Sequence, residues 1–213
     1  MVKSLLLFFI SFTFFLFPSS LYSYTIDDLI EELNVPNWRE KIADTLFLEK
    51  FNTPEKFKVV LDLARSRWYS WRDRVKAIRM LGYLKTPQAE ELLLRMFQNP
   101  FFHCNCPALK YYMAESLGEF EPTTRLLEIL KEGLKDFEVL VREATAKSLG
   151  RLKMQESVTY LIEAFNEEKS LAVKIAIVNA LKSIASTEAQ EFLRKIASDE
   201  KHRELKDVFG DSL

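Results

Sequence analysis

Three side chains able to bind a metal ion or exchange electrons stand within four positions of one another: His103, Cys104 and Cys106. The chain has only two cysteines and two histidines, so Asn99–Pro107 holds both thiols and half of the imidazoles. Two thiolates and an imidazole are soft ligands for zinc or copper, one fewer than the four that close a structural zinc site. Cys106 also stands just before Pro107, where a helix is predicted to start, and a helix N-terminus stabilises a thiolate. A metal ion or thiol–disulfide chemistry is therefore the chemical reading of this loop. The structural readings are a strained Cys104–Cys106 disulfide or two buried thiols.

A second cluster, Arg65–Arg74, holds two of the three tryptophans and four arginines. Tryptophan, tyrosine and arginine are the side chains that dominate binding energy at protein interfaces, and they could also stack on a sugar or a peptide through cation–π contacts. Trp71, like Trp38 33 residues earlier, is expected to pack where structural units meet. Arg65, Arg67, Trp68 and Tyr69 are expected to face a partner. Catalytic patterns are missing from the sequence. It has no nucleophile elbow, phosphate loop or HExxH, and two histidines are too few for a His-rich di-iron site. A non-enzymatic protein is expected, with no cofactor beyond a metal ion at the cysteine loop.

What would position these groups is a repeat. Aligning Leu149-Gly150 with its counterparts gives the frame Leu48, Leu81, Leu117, Leu149 and Leu181, in steps of 33, 36, 32 and 32 residues. A base precedes each leucine by seven positions (Lys41, Arg74, Lys110, Arg142, Lys174), and a large apolar residue follows it by three. Gly82, Gly118 and Gly150 directly follow their leucines. Each copy also carries a second apolar stripe with the i, i+3, i+4, i+7 spacing of a helix, such as Val158, Leu161, Ile162 and Phe165. Self-similarity at this period predicts helix pairs stacked as a solenoid. The 36-residue step is the irregular one, and its extra length falls at the cysteine loop. Insertions in such arrays map to loops, often on the binding side.

Leu134-x-Asp136-x-Glu138-x-x-Val141-Arg142-x-Ala144-x-x-x-x-Leu149-Gly150 resembles the HEAT repeat, closest to the short type of phycobilisome-lyase-like proteins. The resemblance covers about three-quarters of the chain. It implies an all-α superhelix of about five helix pairs, with each ladder base bridging to an acid such as Asp136 or Glu168. It also implies that second helices line the concave face. On them Phe57/Leu61, Glu90/Leu94, Thr124/Glu128, Thr159/Glu163 and Gln190/Arg194 are expected to face solvent, apolar in the first two units and polar in the rest. Phe57, Leu61 and Leu94 thus join the aromatic turn as candidate partner-binding residues.

Residues 1–23 have the pattern of a secretory signal. Lys3 precedes the apolar run Leu5–Phe17, too short for a membrane span, then come Pro18-Ser19-Ser20 and a small residue at Ser23. Leu21 stands where a small residue is preferred, so membrane contact through an uncleaved segment is the alternative. Export to a bacterial periplasm is expected. Residues 24–213 are read as one solenoid, with a cap helix over 24–36 and a C-terminal cap or tail over 199–213. With net charge −1, pI about 6.2 and signs interspersed, there is no basic stripe for nucleic acid. The expectation is a scaffold that grips a protein or peptide in the cell envelope, the alternative being a metal-binding or thiol-redox accessory protein.

Overall fold

A computed structural model describes residues 23–101, 106–205 and 208. Helices start where short polar side chains can take up the free N–H groups of a first turn. Thr25 begins α1 (Ile26–Leu33) and forms a reciprocal cap with Asp28. Thr53 and Thr86 cap α4 (Pro54–Arg65) and α6 (Pro87–Gln98), each with proline at the first helical position, where no N–H is needed. Ser70 caps α5 (Trp71–Leu84), Thr123 caps α8 (Thr124–Gly133) and Ser186 caps α12 (Thr187–Ser198). The remaining helices are α2 (Trp38–Ala43), α3 (Thr45–Glu49), α7 (Pro107–Leu117), α9 (Val139–Leu152), α10 (Ser157–Glu167) and α11 (Leu171–Ile184). Among the described residues there is no strand.

The helices pair and stack in two layers. α2, α5, α7, α9 and α11 pack consecutively as first helices, while α4, α6, α8, α10 and α12 form the second layer. The protein is an all-α solenoid. Leu81, Leu117, Leu149 and Leu181 are completely buried at the frame position, and Leu48 is only partly so. The first copy differs because Asp44 breaks its first helix in two, accepting from the Leu46 N–H at 3.0 Å.

The glycines explain how closely the first helices stack. A Cβ on Gly82 would lie 2.8 Å from the Ser116 Cβ, one on Gly118 2.8 Å from the Ser148 Cβ, and one on Gly150 2.7 Å from the Ala180 Cα. In each case the residue after one frame leucine meets the residue before the next. Three first helices end at equivalent non-glycine residues in the left-handed region, Lys85, Lys153 and Ala185, with φ between 50° and 55°. At the C-terminus Leu205 is fully buried in a 3-10 turn, and Val208 packs half-buried on the core. Phe209 and Gly210 lie outside the described residues, as does the apolar segment before Ser23. Among the described residues no helix is long and apolar enough to cross a membrane.

Candidate partner-binding site

Two ionic contacts hold repeats in register at the ends where first helices begin. The Lys110 ammonium meets the Asp136 carboxylate, both side chains almost wholly buried. Arg142 forks onto Glu168 with Nε and Nη2 at 2.7 and 3.0 Å, and its Nη1 donates to the Asp136 and Phe137 carbonyls. Burial works to raise the Glu168 carboxyl. The Arg142 hydrogen bonds and the N–H groups of Ser170 and Lys169 outweigh it and hold the group below the ordinary carboxylate range. Two of the ladder bases, Lys110 and Arg142, therefore join neighbouring units through Asp136 and Glu168, while Arg74 donates to the Ala64 carbonyl at 3.3 Å. Lys41 instead donates to the Glu32 carbonyl at 2.6 Å.

Beyond this row of ion pairs the turns between units carry unsupported apolar side chains. Trp68, between α4 and α5, is 95% exposed, and its backbone N–H donates to the Ser66 hydroxyl at 3.1 Å. Arg67 extends over the Phe101 ring, 4.2 Å from its centroid, linking this turn to the next. Arg65 pairs with Asp62 at 2.5 Å and stays exposed. Tyr69 turns inward instead, half-buried on the core, and burial and the Asp27 carboxylate push its phenol upward. Phe57 is also half-buried against the core. Leu61 lines a groove of about 440 Å³ between α4 and α6 with Arg65, Leu92 and Arg95.

Two expectations are corrected. Leu94 is buried, at 1% exposure, rather than facing solvent. Helix α6 touches α5, α7, α4 and α8, so its apolar arc widens to take in Leu94 beside Leu93, and Glu91, Leu92 and Arg95 form the open face instead. Trp71 does not pack between repeats as Trp38 does. Both open their helices, but Trp71 is 46% exposed at the start of α5 while Trp38 is partly buried against the core. The polar positions Thr124, Glu128, Thr159, Glu163, Gln190 and Arg194 do face solvent.

The structure adds a C-terminal half to the apolar edge. Phe137 is 93% exposed, Leu140 53% and Leu171 43%. Trp71, Val139 and Leu171 are equivalent, each opening its helix three residues before the ladder base. Glu138 and Ser170 make no side-chain cap there. An apolar residue at a helix start is the signal these positions carry in the sequence.

Of the cysteine loop, Cys106 is a half-buried free thiol at the start of α7, with no capping hydrogen bond from its side chain. Burial lowers the nearby Arg74 guanidinium from its ordinary value, and Cys106 is a group acting against that. His103 and Cys104 lie outside the described residues. Among the described residues no three His, Cys, Asp or Glu side chains are grouped to hold a metal ion.

A family model described as HEAT repeats matches residues 100–176 and again 127–213, together more than half of the chain. No curated protein matches the sequence.

Proposed function

The chain belongs to the HEAT-repeat family, and on that premise we propose that it is a non-enzymatic scaffold of the cell envelope that grips a protein partner along the edge of its inter-repeat turns. The observation that carries this reading is the row Trp68, Trp71, Phe101, Phe137, Leu140 and Leu171, large apolar side chains held at 40–95% exposure along successive turns. Exposed apolar patches rimmed by charge mark partner sites on soluble domains. The C-terminal half of the row, Phe137 to Leu171, is backed by paired, buried charges, which favours an edge arranged before anything binds. Its short repeats resemble those of phycobilisome-lyase-like proteins, but a secretory pattern in residues 1–23 supports export in place of pigment chemistry in the cytoplasm.

The test is photo-cross-linking in the source cell. A benzophenone amino acid at position 68 and, separately, at position 137 should capture the same protein, because one partner spans the edge. Different captures from the two positions, or none, would contradict a continuous site. The mass of the mature N-terminus tests export, which predicts a chain starting at Tyr24.

A further inference from the structure

A groove of about 740 Å³ opens where α2 meets α5, on the first-helix layer and away from the α4–α6 groove. Its walls carry three aromatic side chains, Trp38, Trp71 and Tyr112, and the cations Arg39, Arg72 and Lys76. Arg39 lies 4.5 Å from the Trp38 ring centroid and donates to the Tyr112 hydroxyl at 3.4 Å. Arg72 lies 5.2 Å from the Trp71 centroid. Lys76 is paired with Asp73 at 3.3 Å, and Asp73 is the one acid in the wall. Neither Arg39 nor Arg72 meets a carboxylate of the described residues. The groove thus has two guanidiniums that lie beside indoles and pair with no acid of the described residues. It also lies against the start of α5, whose first-turn N–H groups add positive character.

We propose that this groove binds an acidic, extended segment of a protein partner, with carboxylates on Arg39 and Arg72 and apolar residues against the indoles. Charge decides the sign of the ligand: three cations face one acid. Geometry decides its kind. A guanidinium presents a planar fork that matches a carboxylate, and an arginine beside each indole leaves less ring face for a neutral sugar to stack on. Aromatic-lined grooves of this type accept extended, proline-containing chains because such chains lose little entropy on binding. The inference rests on the scaffold reading only in supposing a protein partner, and it names the chemistry of one end of that partner.

The experiment titrates the purified chain with a fluorescein-labelled octapeptide of alternating glutamate and proline, with the glutamine–proline octapeptide as its neutral counterpart. In a Trp68→Phe background the two remaining tryptophans both line the groove, so binding should shift their emission as well as raise the peptide's anisotropy. Saturable binding of the acidic peptide is expected, weakened at least tenfold by Arg39→Gln with Arg72→Gln and untouched by Arg194→Gln on α12. Arg72→Lys, which keeps charge and loses the fork, should bind several-fold more weakly and decides the matter if the double variant folds poorly. Equal binding of the neutral peptide, indifference to both arginines, or no binding at all would overturn the proposal. So would phosphatidylglycerol vesicles shifting the emission where the peptide does not. Cross-linking from positions 68 and 137 is independent of these outcomes, so the scaffold reading and the groove can fail separately.

Discussion

Gly150→Ala sets two well-understood effects against each other. In the interior of α9, replacing glycine with alanine should by itself stabilise the helix by about 1 kcal/mol. The new Cβ, however, would sit 2.7 Å from the Ala180 Cα and 2.9 Å from its Cβ. Carbon atoms in contact prefer about 3.5–4.0 Å, so α9 and α11 must separate by about 1 Å, and the obstruction is largely backbone that no rotamer change can clear. Overpacking of this kind costs about 1–3 kcal/mol, and the separation also loosens Leu149 and Leu181 beside it. The net expectation is a loss of about 1–2 kcal/mol. In a chain of this size that lowers the midpoint of thermal unfolding, followed by circular dichroism at 222 nm, by about 2–8 °C. Hydrogen exchange should rise in both α9 and α11, because the two units share the interface. An unchanged or raised midpoint would mean that the first helices have slack where the structure shows contact, and that Gly82, Gly118 and Gly150 do not set the stacking distance.

Further outcomes follow from burial and charge. Leu149→Ala removes a fully buried frame leucine and should cost about 2–5 kcal/mol in urea unfolding, whereas Trp68→Ala, at 95% exposure, should stay within about 0.5 kcal/mol. Leu94→Ala should behave like the frame leucine, and a near-neutral result would return Leu94 to the surface. Ala185→Gly relieves a left-handed residue at a helix end and should raise stability by up to about 1 kcal/mol. Glu168 has its carboxyl held low in the folded state, so its stabilising share is full above about pH 4.3 and is lost as pH falls through the depressed folded value. Glu168→Gln should therefore start less stable at pH 7 and fall less steeply on acidification than the parent. Parallel acid profiles would show that the Arg142–Glu168 bridge is not what links these repeats.

The architecture was legible because every level repeats. Leucine, base and following apolar residue recur at fixed offsets, and only a stacked helix pair satisfies all three. The ladder acids were legible through the resemblance to HEAT repeats, which implies a base bridging to an acid such as Asp136 or Glu168. The broken first helix was not, because Asp44 reads equally well as a solvated helix residue until its carboxylate is seen to cap Leu46. Leu94 escapes an i, i+3, i+4, i+7 stripe because that spacing describes one buried face, while a second helix inside a solenoid has neighbours on three sides. Phe137 and Leu171 were passed over for a related reason. Their spacing belongs to the first helix, but their exposure depends on where the turn ends, and apolar residues there look like the start of a core stripe.

The measurement closest to the central claim compares stability with binding in the Trp68→Ala, Phe137→Ala double variant. Both side chains are more than 90% exposed, so the midpoint of unfolding should shift by no more than a few degrees. If the turn edge is the gripping surface, affinity for the cross-linked partner, measured by calorimetry, should fall at least about 30-fold, the effect of losing one interface hot spot of about 2 kcal/mol. Unchanged affinity in a variant that folds as the parent does would contradict the account.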